Sequence, residues 1–127
     1  MIVVDTSALV AIVLHEAKAN ACIKVLETET KALISAGTMA EALIVSIRRR
    51  VADEMASLLE GLGIEIVTVT PASARLVAAA YGRWGKGSHK ANLNFGDCFA
   101  YALAKEHSCP LLFVGDDFAK TDIESAA

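Results

Sequence analysis

Short aliphatic runs recur along this chain, and each is followed by a longer stretch with helical spacing. Ile2-Val3-Val4 reads as a buried strand and leads into helical segments over 6–14 and 18–29. A second strand over 32–34 precedes helices over 38–50 and 52–62, the latter stopped by Gly61 and Gly63. A β-branched run over 64–69 gives a third strand, and Pro71 then opens a helix over 72–84. A polar, glycine-containing loop over 85–92 leads to a helix over 95–107 and a fourth strand over 111–114. Asp116-Asp117 starts a last turn, with a short edge strand expected near Ile123. Strands separated by helices predict an α/β/α sandwich with right-handed crossovers and a mostly parallel sheet of four to five strands.

Composition supports that architecture. The 127 residues are 54% hydrophobic but only 6% aromatic, so the core must be built mainly of Ala, Val, Leu and Ile. Such a core suits helices packed on a parallel sheet. No repeat, low-complexity tract or linker divides the sequence, which predicts one domain over 1–127. The net charge of −3 excludes a protein held on nucleic acid by a general cationic field. Cys22, Cys98 and Cys109 show no zinc-type spacing, and Cys22 and Cys98 lie in apolar helical segments as core residues. No charged region and signal stretch precede Ile2, and no apolar run reaches membrane-spanning length. A cytoplasmic location without membrane contact is expected.

In a parallel sheet, ligands bind at the carboxyl ends of the strands. Asp5 follows the first strand at that edge, and it reads equally as the cap of the next helix. Asp116 and Asp117 follow the last strand after Gly115, and the same capping alternative applies. Glu41 shares a helix face with Thr38, Ile44 and Val45, between Ala40 and Ala42. A carboxylate on so apolar a face must be protonated, be paired or bind a cation, unless the face is more exposed than its pattern suggests. Asp97 stands in the first turn of a helix whose run from Cys98 to Ala104 predicts burial nearly all round. The helix dipole favours an acid there, while Gly96 beside it permits close backbone approach.

Bringing such acids together is unfavourable. Two carboxylates roughly 5 Å apart repel by about 3 kcal/mol at an effective dielectric near 20. A hard divalent cation removes that repulsion, and an all-oxygen donor set suits Mg²⁺ or Mn²⁺.

The run from Asp5 to Leu9 after an apolar strand, a Glu inside the third helix, and Leu93-Asn94-Phe95-Gly96-Asp97-Cys98 resemble the PIN-domain nucleases. With the run from Leu112 to Phe118 and Thr121-Asp122-Ile123, the chain is similar to the VapC toxins of bacterial toxin–antitoxin pairs. The order and spacing of these motifs carry the likeness from the first residues to the last strand. The resemblance implies a PIN-domain fold and Mg²⁺-dependent endonucleolytic cleavage of RNA, leaving a 5′-phosphate and a 3′-hydroxyl. Asp5, Glu41 and Asp97 match its three regular acidic positions, with Asp116 as fourth acid and Asp117 as the alternative. It also implies a cognate antitoxin that blocks the site and a second copy of the chain in a homodimer.

Thr6 and Ser7 are candidate site hydroxyls, able to bond Asp5, a water or the phosphate, or to cap the helix. The loop carrying Arg83, Lys86, His89 and Lys90 is the best basic patch and a candidate RNA contact. Trp84 within it either stacks a base or packs inward. The triple-arginine stretch from Arg48 to Arg50 reads as a solvated helix end.

Two other classes that gather acids at strand ends are excluded. A receiver domain needs an Asp after its middle strand, where Thr70-Pro71 and Ala36-Gly37 stand. A haloacid-type phosphatase needs a second Asp two residues after Asp5, where Ser7 stands. The rival that survives is a non-catalytic PIN-like module that binds RNA or protein.

Overall fold

The computed structural model describes all of residues 1–127. Its sheet has four parallel strands in the order β3-β2-β1-β4: β1 Ile2–Val4, β2 Ala32–Ser35, β3 Glu65–Val67 and β4 Leu111–Leu112. Helices α1 Thr6–Val13 and α2 Ala19–Thr28 follow β1, and α3 Ala36–Arg48 and α4 Ala52–Gly61 follow β2. Helices α5 Pro71–Trp84 and α6 Phe95–Glu106 lie between β3 and β4, and a short 3-10 turn spans Phe118–Lys120. The first four expected strands and the six expected helices are all present, with ends displaced by a few residues.

Side-chain alternation along the strands divides the core in two. Ile2, Val4, Ile34 and Leu112 face one layer, with Leu9 and Ile12 of α1, Ala42 of α3 and Met55 of α4. Val3, Leu33 and Leu111 face the other, where α5 and α6 supply Val77, Ala80, Trp84 and the run from Ala100 to Ala104. That run is buried throughout, as its composition predicted, because α6 lies between α5 and the sheet.

β4 is shorter than the apolar run 111–114 suggested. Its ladder stops because the Val114 amide turns away from the sheet and donates to Ser7 Oγ at 2.9 Å. Gly115 follows at φ +111°, a backbone state that suits glycine and swings the chain towards Asp116 and Asp117. The expected edge strand near Ile123 is only a single bridge, Leu111 to Ser125. The Leu111 amide donates to Glu124 O and the Ala126 amide to Leu111 O.

Trp84 packs inward. It is buried, and its Nε1–H donates to the Tyr101 hydroxyl at 2.8 Å. Tyr101 donates in turn to Asp122 Oδ1 at 2.5 Å, and Lys105 Nζ reaches the same carboxylate at 3.2 Å. This chain of bonds fastens the C-terminal segment and the end of α5 onto α6. Tyr101→Phe leaves the buried indole N–H without a partner and is expected to lower unfolding stability by about 1–3 kcal/mol in urea denaturation. An unchanged midpoint would show that the bond contributes nothing.

Candidate active site

Asp5 lies at the carboxyl end of β1, the strand between β2 and β4. It is 2% exposed, and its amide donates to Leu112 O at 3.0 Å. Its two oxygens differ sharply. Oδ2 accepts both the amide and the hydroxyl of Ser7, at 3.0 and 2.6 Å, so Asp5 is indeed the N-cap of α1. Oδ1 is buried with no hydrogen-bond partner. Capping therefore occupies one oxygen and leaves the other available, so the two readings of Asp5 coexist.

Ser7 does more than cap. Its Oγ accepts the Val114 amide while donating to Asp5, which ties the end of β4 to the acid at the end of β1. Thr6 is buried, and its hydroxyl donates to Glu41 Oε1 at 2.6 Å. Glu41 is half-buried on α3, so its apolar neighbours are reconciled with its charge by this bond and by partial solvent access.

Two glycines bring α3 and α6 together. A Cβ on Gly37 of α3 would run into the Phe99 ring, and a Cβ on Gly96 of α6 would run into the Glu41 carboxylate. Each helix thus offers a bare backbone to a large side chain of the other. This packing sets Glu41 against the first turn of α6, where Asp97 lies. Asn94 caps that helix: its Oδ1 accepts the Asp97 amide at 2.8 Å, and Asp97 Oδ2 accepts the Asn94 amide at 2.9 Å. Sequence reading passed over Asn94, although Asn followed three residues later by an acid is the pattern of such a box.

The site's electrostatics follow from this crowding. Burial pushes the Asp5 carboxyl up to about 7, and the charges of Asp97 and Glu41 push the same way against the Ser7 bonds. Asp97 is raised to about 6, first by burial and then by Glu41 and Asp117, against its bond to the Asn94 amide. Asp116 and Asp117 are both exposed, and Asp117 is the one whose charge acts on Asp97. Asp5, Glu41, Asp97 and Asp117 therefore share one electrostatic neighbourhood.

No three of these acids are drawn together tightly enough to form a finished ion cage. The donor set nevertheless fits a hard divalent cation. Every candidate ligand is a carboxylate oxygen, Asp5 Oδ1 is without a partner, and the Asp5 and Asp97 carboxyls are both raised, first by burial and then by the neighbouring acids.

The basic loop is partly committed elsewhere. The Arg83 guanidinium lies 4.5 Å from the centre of the Trp84 ring and 3.8 Å from Asp122. His89 packs edge-on against Trp84, and its Nδ1 accepts the Ala91 amide. Lys86 and Lys90 are exposed, as are Arg48, Arg49 and Arg50 at the end of α3.

The family model for the PIN domain matches residues 2–124. The chain belongs to the PIN-domain family. It is 41% identical over 128 residues to a protein named ribonuclease VapC42 from Mycobacterium tuberculosis, covering 98% of each chain. Its fold matches the crystal structure of Mycobacterium tuberculosis VapC20, titled a sarcin-ricin loop cleaving toxin, with a TM-score of 0.78 at 17% identity over 97% of this chain and 96% of that one. It also matches a chain of a toxin–antitoxin complex from Klebsiella pneumoniae, with a TM-score of 0.72 at 17% identity over 96% and 93%. These likenesses place the chain among the VapC-type PIN domains. No helix is long and apolar enough to cross a membrane.

The raised acids make stability depend on pH in a fixed direction. A carboxyl whose folded pKa lies above its unfolded value stabilises the fold below the unfolded pKa, and that contribution is lost as pH rises through the folded pKa. For Asp5 the window runs from the ordinary aspartate value of 3.8 to about 7, and for Asp97 from 3.8 to about 6. In EDTA the thermal midpoint should therefore decline as pH rises from about 4 to about 7 and level off above that. Asp5→Asn should flatten that fall and raise the midpoint at pH 8. A midpoint that rises with pH in the native protein, or an Asp5→Asn variant less stable at pH 8, contradicts the assignment.

Proposed function

We propose that this chain is a Mg²⁺-dependent endoribonuclease, the toxin of a toxin–antitoxin pair, with Asp5, Glu41, Asp97 and Asp117 as its acidic machinery. The observation that carries the reading is Asp5 itself, a buried carboxylate with one oxygen pinned by Ser7 and the other bare. Two further acids raise its proton affinity, a condition that a cation would relieve. Relatives named as ribonucleases at about 40% identity over nearly the full chain support the substrate class. Asp117 is preferred to Asp116 because its charge acts on Asp97. Mn²⁺ suits the same oxygens.

The chain's own groups divide the work by position. Asp5 presents Oδ1 at the carboxyl end of the sheet, and Ser7 keeps that carboxylate from rotating. Thr6 holds Glu41 by one oxygen, so the other remains to bind a ligand or orient a water. Asp97 is held at a fixed height by its capping box and adds charge from the opposite helix. A divalent ion bound among them would supply an acidified water and charge stabilisation at the leaving oxygen. The products would carry a 5′-phosphate and a 3′-hydroxyl.

The partner assignments extend the same reading. An antitoxin would cover the acidic mouth, and the solved neighbour titled a toxin–antitoxin complex supports such a partner. Apolar side chains left exposed, Ile44 and Ile47 on α3 and Leu76 on α5, offer surface for the antitoxin and for a second copy in a homodimer. The working location is the cytoplasm, where RNA and antitoxin meet.

The test is cleavage of several RNA pools with Mg²⁺ and with EDTA. Cleavage is expected only with Mg²⁺, and Asp97→Asn should lower the rate by at least about a hundredfold without loss of fold, because Asn retains a cap acceptor. Equal survival of RNA under both conditions would leave the non-catalytic binding module as the better reading.

A second prediction concerns Gly96. Gly96→Ala must displace the Glu41 carboxylate, the flexible partner in that contact. Activity should fall at least about tenfold, one kcal/mol-scale interaction being lost, while the thermal midpoint changes little. A fully active Gly96→Ala protein would exclude Glu41 from the chemistry.

A further inference from the structure

Carboxylates would meet a phosphate only through a bound cation, so a base beside the cut needs a contact of its own. Phe95 stands beside the acids. It is the first residue of α6, one position before Gly96, whose backbone lies against Glu41, and two before Asp97. At 71% exposed it is the most solvent-accessible of the large apolar side chains. We infer that Phe95 is the platform on which a nucleobase flanking the cleaved phosphate stacks, an inference that rests on the ribonuclease reading above.

The ring is built in rather than loose. Phe99 braces it nearly perpendicular, with ring centres 5.0 Å apart, and Phe99 is itself seated in the space left by Gly37. The backbone of Phe95 lies inside the Asn94–Asp97 capping box, so the box that fixes the acid also fixes the backbone that carries the ring. A rigid ring loses little entropy on stacking, and every base offers it a π face.

The surroundings suit a base and its backbone. Phe95 edges an apolar recess of about 460 Å³ lined by Val69, Val77, Ala78, Tyr81 and Phe99, with no acid in its wall. That volume falls in the range of small-molecule pockets. The Lys86 amide donates to Leu93 O at 2.9 Å, which sets the basic loop two residues from Phe95. Lys86 and Lys90 are exposed there and free of salt bridges, unlike Arg83. Lys86 and Lys90, exposed on the loop that leads into α6, are the cations available to phosphates neighbouring the stacked base.

The test reads binding in the Asp5→Asn background, where RNA stays intact, by the fluorescence anisotropy of a short labelled single-stranded RNA with Mg²⁺. Adding Phe95→Leu is expected to weaken binding about tenfold, and Phe95→Trp to restore it. An abasic residue scanned along the RNA should cause the same loss at one position, and no further loss there with Phe95→Leu. In the otherwise native enzyme Phe95→Leu should raise KM and leave kcat unchanged. Equal affinities of the Phe95 and Phe95→Leu proteins, or losses that add across the abasic scan, overturn the inference. So does a change in oligomeric mass by light scattering that accompanies the loss of affinity, since the ring would then belong to a contact with a second copy. Failure of the native protein to cut any RNA would sink the ribonuclease reading instead, and the binding comparison would still report on Phe95.

Discussion

The structure turns on one carboxylate that is held from one side only. Asp5 ends the strand between β2 and β4, caps α1 and accepts two bonds from Ser7 on a single oxygen. Ser7 then reaches the Val114 amide, so β1, α1 and the end of β4 meet at one side chain. The other oxygen of Asp5 is buried without a partner, a condition that folding alone would not favour. The same carboxyl feels the charges of Asp97 and Glu41.

The rest of the fold supplies that neighbourhood. Strands β1 and β2 deliver α1 and α3 from the same sheet edge, and the paired contacts at Gly37 and Gly96 draw α6 against α3. Asp97 enters in the first turn of α6, where the helix dipole partly offsets its charge. The positive helix end is not enough, since Asp97 remains raised to about 6 and Asp5 to about 7. A preorganised deficit of positive charge is what a cation-dependent hydrolase requires. Belonging to the PIN-domain family gives this geometry its context.

Much of this was legible in the sequence, because the signals were local. Apolar runs alternating with helical spacing identified the parallel sheet, and the acids after β1 and in α3 and α6 stood out against apolar neighbours. What escaped depended on partners far along the chain. Trp84 ends α5 where a basic loop begins and could as well have faced solvent; the hydroxyl of Tyr101, 17 residues on, draws it inward. Residues 113 and 114 look like strand, yet Ser7, 107 residues away in sequence, takes the Val114 amide. Asp116 and Asp117 differ by one position after a glycine at φ +111°, and only the folded turn decides which charge acts on Asp97. Ser7 read as one of several capping hydroxyls, and nothing local signalled its link to β4.

Burial and neighbouring acids raise the Asp5 carboxyl to about 7, so a cation binding beside it should lower that value. The Asp5 carboxyl carbon can be followed by NMR across a pH titration, with and without Mg²⁺. The account predicts a midpoint near 7 in EDTA and a marked fall when Mg²⁺ is present. A midpoint at an ordinary aspartate value in EDTA, or one that Mg²⁺ leaves unmoved, would contradict it.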